Sequence, residues 1–150
     1  MKTLDQWLNL YAESHQNPTN KLVHKICVPV ITFTVFGILW SIPTPSIMKS
    51  VPYLNWSTIF GALTLVFYAR LSIQLFFLML AQVFVMLFLC YQIALSFNLL
   101  YISIVLFIIS WIGQFWGHKV EGKKPSFFED VQFLLIGPIW VVKAITGLPK

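Results

Sequence analysis

From Ile26 onward the chain is a series of apolar runs separated by short polar breaks. Ile26 to Ile42 is nearly all apolar, and Pro43, Pro45 and Pro52 then mark a loop. Leu54 to Ala69 is a second run, punctuated by Arg70. A third extends from about Leu71 to Leu95 and a fourth from about Leu99 to Trp116. Each approaches the roughly 20 residues that a helix needs to cross hydrocarbon. None shows the strict alternation of a barrel strand. The pattern therefore predicts helical spans over 26–42, 54–69, 71–95 and 99–116 in a single membrane-embedded domain, residues 1–150. The second run is short, so it tilts little or sits deeper among its neighbours.

The flanks differ. Leu4, Trp7, Leu8 and Tyr11 recur at helical spacing, with Asp5, Glu13 and Gln16 elsewhere, so residues 3–16 read as an amphipathic helix. Asn17-Pro18 breaks it, because the residue before proline is pushed out of the α region. Asn20 is then a cap for the helix that enters the membrane. Residues 117–130 are polar, and 131–148 are apolar again but carry Pro138 and Lys143. A lysine near mid-membrane is costly, so this last segment reads as interfacial or re-entrant. The expected fold class is all-α: an integral membrane helical bundle of about four transmembrane helices, with an N-terminal amphipathic helix and a C-terminal interfacial or re-entrant helix.

Composition strengthens the membrane assignment. The 150 residues are 58% hydrophobic and 10% charged, against about 25% charged in a usual soluble domain. So few polar groups cannot cover a soluble surface, which makes the lipid bilayer the chain's solvent. The 17% aromatic content suits interfacial Trp and Tyr. The net charge of +5 falls on no basic face or motif of a nucleic-acid binder, so no nucleic acid partner is expected. Four spans put both termini on one side, together with nine of the ten Lys and Arg; only Lys49 falls opposite. That asymmetry makes the shared side cytoplasmic, in a bacterial inner membrane or the endoplasmic reticulum. Cys27 and Cys90 lie far apart in apolar runs and read as free thiols. The polar start, MKTLDQWLNLYAESHQNP, lacks the compact apolar core of a cleavable signal.

The same topology gathers the chemistry. His15 precedes the first span, His24 stands at its entrance and His118 lies just past the fourth. All three should share one depth on one face. Tyr11 and His15 are four apart, as are Asn20 and His24; Gln114, His118 and Glu121 stand at i, i+4 and i+7. Neutral imidazoles with a carboxylate suit a divalent transition metal, as in a two-histidine, one-carboxylate iron(II) site for oxygen chemistry. Three histidines with Glu121 also suit zinc, and two histidines at span ends suit axial ligation of a b-type haem. Tyr11, Asn17, Asn20, Gln114 and Gln132 are the polar side chains placed to hold such imidazoles in one tautomer. Read as structure alone, Gly113 and Gly117 are a helix-packing step, Trp111, Trp116 and Trp140 are interface anchors, and the histidines merely reach for water. A non-enzymatic lipid-binding or scaffold protein remains the alternative from a different class.

Two signatures resemble a known family. Tyr11-x3-His15-x-Asn17-Pro18-x-Asn20-x3-His24-x4-Pro29 and Gln114-Phe115-x-Gly117-His118-x2-Glu121-Gly122-x2-Pro125 are similar to those of the 2-hydroxy fatty acid dioxygenases, the fungal phytosphingosine-breakdown enzyme and its bacterial relatives. The order, the apolar length between them and the Gln132 to Pro138 tail also fit, so the resemblance covers nearly the whole chain. It implies an Fe(2+)-dependent dioxygenase that removes one carbon from a 2-hydroxy fatty acid with O2 as oxidant. By that resemblance His15, His24 and His118 are metal ligands. Glu121, as a fourth ligand or a base, and Tyr11 are candidate catalytic groups. Lys119, Lys123 and Lys124 orient the chain in the membrane, and Lys119 and Lys123 also lie well for a fatty acid carboxylate. A homo-oligomer is compatible with all of this.

Overall fold

The computed structural model describes residues 3–122 and 133–147. They form seven helices: α1 Leu4–Glu13, α2 Pro18–Ser41, α3 Ser46–Lys49, α4 Trp56–Leu71, α5 Ile73–Ala94, α6 Leu99–Glu121 and α7 Phe133–Thr146. No strand occurs among the described residues. Three helices are long and apolar enough to cross a membrane: α2, α5 and α6, with mean hydropathies of 2.0, 2.5 and 2.0. α4 and α7 are shorter apolar helices of 16 and 14 residues. At about 1.5 Å per residue, 16 residues reach about 24 Å, short of the roughly 30 Å hydrocarbon core.

The helix ends follow local chemistry. Thr3 and Gln6 form a reciprocal capping box that starts α1. α1 buries Trp7, Leu8 and Tyr11 but stops at Glu13, before the expected residue 16, because Ser14 leaves the helical region. The cap of α2 is Asn17 and not Asn20. Asn17 Oδ1 accepts the Thr19 N–H at 2.9 Å and its carbonyl accepts the Lys21 N–H at 3.0 Å. Pro18 occupies the first helical position, where its missing N–H costs nothing. α2 therefore starts upstream of the apolar run, and Asn20 lies inside it with its side chain free for other work. α6 likewise outlasts its apolar run, through His118 to Glu121, and ends where Gly122 adopts a φ of 74°.

The chain divides into two compact units, Met1–Ile31 with Ile108–Lys150, and Thr32–Phe107. In the second, α5 buries Leu75, Met79, Val83, Met86 and Cys90, a stripe at spacings of three and four. Phe33, Phe36, Val83, Met86, Cys90 and Leu99 form its core. Gly61 lets α4 approach, since a Cβ there would stand 2.9 Å from Val83 Cγ1. Phe77, Phe84 and Phe88 on α5 are exposed, as suits a helix solvated by lipid. In the first unit α1 packs on α7, with Trp7 edge-on to Phe133 at 5.6 Å. There α6 meets α2 through Gly113, where a Cβ would stand 3.0 Å from Cys27 Sγ.

Candidate metal centre

His15 lies in the α1–α2 connection. Its main-chain N–H donates to the Ala12 carbonyl at 3.0 Å and its Nδ1–H to the Tyr11 carbonyl. The imidazole lies flat on the Tyr11 ring, with centroids 4.1 Å apart and planes 7° apart. The four-residue spacing thus brings this pair together although the helix ends between them. His24, in the second turn of α2, donates its Nδ1–H to the Asn20 carbonyl at 3.0 Å. A carbonyl only accepts, so in both rings the proton sits on Nδ1 and the lone pair on Nε2.

His118, near the end of α6, completes the group. Ring centroids are 4.2 Å apart for His15 and His24, 5.2 Å for His15 and His118, and 4.9 Å for His24 and His118. One ring nitrogen from each lies within 4.8 Å of the others. All three side chains are at most 2% exposed. His15 Nε2 and His118 Nδ1 are buried with no hydrogen-bond partner, which ordinarily costs about 1–3 kcal/mol each. Three converging imidazoles with unpartnered nitrogens fit a divalent metal with open positions left for substrate. Axial ligation of a haem would use two of the three rings and leave the third without a role.

Burial holds the His15 pKa below its ordinary 6.5, and the nearby Lys21 charge acts in the same direction, against the Tyr11 carbonyl and Glu121. A neutral imidazole is the form a metal takes. The sign for stability follows: below pH 6.5 the unfolded chain takes up a proton at His15 that the folded chain refuses. The metal-free protein should therefore hold its full His15 contribution above about pH 6.5 and melt at progressively lower temperature below it. Thermal melts across pH 4–8, with His15→Gln making the acid limb shallower, check this.

Glu121 stands beside the trio and acts on the connection that carries His15. Its carboxylate accepts the main-chain N–H groups of Gln16 and Asn17, each at 2.8 Å, and Asn20 Nδ2 at 3.1 Å. Asn20 Nδ2 also donates to the Ser14 carbonyl at 3.1 Å. These bonds lower the Asn17 and Asn20 segment onto the end of α6. Gln114 is buried on α6, four residues before His118. Lys119 is exposed. Lys123 and Gln132 lie outside the described residues.

Gly117, read from sequence as a packing step, also serves the site. A Cβ there would stand 2.5 Å from Asn20 Oδ1. Gly117→Ala is expected to displace Asn20, loosen its bonds to Ser14 and Glu121, and weaken metal binding about 10–100-fold, the range for groups that orient ligands. Metal titration of the purified variant checks this. Trp140, read as an interface anchor, packs against Tyr11 and His15 at centroid distances of 5.7 and 5.5 Å. The spacing of Phe133 and Trp140 on α7 is i, i+7, and both meet Tyr11; that shared face was the available signal.

An all-helical chain with apolar helices of membrane-crossing length and a buried histidine trio is a membrane-embedded protein with a candidate metal centre. It belongs to the Mpo1-like family, described as 2-hydroxy-palmitic acid dioxygenase Mpo1-like, which it matches over residues 1–148. It is 28% identical over 145 residues, 90% of this chain and 75% of the relative, to the 2-hydroxy-palmitic acid dioxygenase MPO1 of Saccharomyces cerevisiae. No solved structure matches.

Proposed function

We propose that this chain is an iron(II)-dependent dioxygenase that removes one carbon from 2-hydroxy fatty acids at the membrane interface, with O2 as oxidant. The observation that carries the reading is the buried trio of His15, His24 and His118, with His15 Nε2 and His118 Nδ1 left without partners. The activity named for the yeast relative supports the choice of substrate. His15, His24 and His118 would hold the metal. Iron(II) would supply Lewis acidity and electrons for oxygen there.

The chain's own residues then do the rest. The Tyr11 and Asn20 carbonyls fix the Nδ1–H tautomers of His15 and His24. Tyr11 and Trp140 wall the His15 ring against water. Burial raises the Tyr11 phenol pKa, so this hydroxyl stays protonated and can donate a hydrogen bond. Glu121 is the nearest candidate base, although three donors already engage it. Lys119 and Lys123 are candidates to meet the substrate carboxylate. The acyl chain would lie along the apolar helices, reaching the site from the bilayer. The charge asymmetry supports a cytoplasmic site with both termini on that side.

Metal analysis of the purified protein, paired with oxygen uptake on 2-hydroxypalmitate, tests the reading. Stoichiometric iron with metal-dependent uptake is the expected result. Protein without bound metal and without turnover would sink it and leave a lipid-binding scaffold.

A further inference from the structure

A second feature of the first unit lies outside the histidine trio. Three helix faces meet around a cleft of about 400 Å³ lined by Asp5, Leu8, Asn9 and Ala12 of α1, Lys21 and Lys25 of α2, and Trp140, Lys143 and Ala144 of α7. The α1 residues stand at i, i+3, i+4 and i+7, and Lys21 and Lys25 at i and i+4, so each set is one helix face. Three lysines confront a single aspartate. Lys21 and Lys143 are half-buried, and among the described residues no ion pair engages either. Lysines of this kind lay their methylenes on apolar surface and hold the ammonium at its edge, and here three ammoniums share one cleft with a single carboxylate. Leu8, Ala12, Trp140 and Ala144 give the same cleft apolar walls.

We infer that this cleft binds the anionic head group of an acyl-chain lipid, with the lysines on the head group and the apolar wall against its first methylenes. The chemistry is that of a monoanion, a fatty acid carboxylate or the phosphate of an acidic phospholipid, attached to an alkyl chain. Lys21 and Lys25 lie in the first turns of α2, a helix of membrane-crossing length, which is the depth where such head groups sit. Trp140 forms a wall of the cleft and also packs on His15, so an occupied cleft would abut the trio without entering it. The inference goes beyond the catalytic reading and does not depend on it.

The test uses the full chain, stripped of metal, in a neutral detergent. Calorimetric titration with palmitate, which lacks the 2-hydroxyl, is compared with its uncharged methyl ester. Phosphatidylglycerol is compared with phosphatidylcholine. Saturable binding of palmitate or of phosphatidylglycerol is expected, weakening with salt, with the ester and the zwitterion silent; which anion binds identifies the source. Lys21→Gln and Lys143→Gln should each weaken binding about fivefold, and the triple variant with Lys25→Gln about a hundredfold. Lys49→Gln, in the other unit, should change nothing. Equal affinity for acid and ester, or unchanged affinity in the triple variant, overturns the proposal. Either failure leaves the metal content of the histidine centre, measured separately, untouched.

Discussion

Replacement of His118 by alanine is expected to abolish stoichiometric metal binding and to lower turnover of a 2-hydroxy fatty acid by more than about 100-fold. The magnitude follows from a comparison: removing a group that merely orients a ligand costs about 10–100-fold, so removing a ligand costs more. His15→Ala and His24→Ala should behave alike, because each removes one of three converging nitrogens. Stability gives an independent readout. His118 Nδ1 is buried and unpartnered, so His118→Leu removes an unsatisfied polar atom from the metal-free protein. That variant should melt at the same or a higher temperature than the metal-free parent while losing its metal response. A residue kept for packing alone would show the reverse: lower melting temperature and intact metal binding. Metal analysis and thermal melts with and without iron(II) separate the two.

Glu121→Gln is expected to have the second largest effect, and its pattern decides what the carboxylate does. The amide retains one acceptor oxygen but turns an N–H2 group toward donors. At least one of the bonds from Gln16, Asn17 and Asn20 must therefore fail. Bonds to a charged group are worth about 1.5–3 kcal/mol each; the carboxylate sits near the surface, so solvent screening reduces the loss to about 1–2 kcal/mol. For a chain of this length that is about 2–8 °C of melting temperature. Metal affinity should fall alongside, because the segment carrying His15 is no longer held to the end of α6, the helix that carries His118. If Glu121 acts only as an orienting group, activity at saturating iron(II) recovers. If it is also a base or ligand, activity stays low at saturating metal, with the same fall in melting temperature.

Sequence and structure agree most closely where periodicity and chemistry coincide. The apolar runs located α2, α4, α5 and α6, because a lipid-facing helix has no alternative way to satisfy its backbone. The Tyr11–His15 and Asn20–His24 spacings became actual contacts, because four residues is one helical turn whether or not the helix continues. They part where a side chain's partner comes from a distant element. Asn20 reads as a cap by residue type, yet Asn17 and Pro18 already begin the helix, and Asn20 turns to Ser14 and Glu121 instead. Trp140 reads as an interface anchor by composition, and only the packing of α7 on α1 sets it against His15.

By itself, then, the sequence determined the solvent, the helical class, the approximate places of the apolar helices and the three histidines able to hold a metal. Each of these depends on local periodicity or on composition. The tertiary structure alone decided that the three imidazoles converge, that two of their nitrogens lack partners, that Glu121 engages the α1–α2 connection and that Lys21, Lys25 and Lys143 share one cleft. Those facts depend on which faces of α1, α2, α6 and α7 meet. Residues as far apart in sequence as Asn17 and Glu121 are brought into contact by packing and backbone hydrogen bonding, which no local pattern encodes.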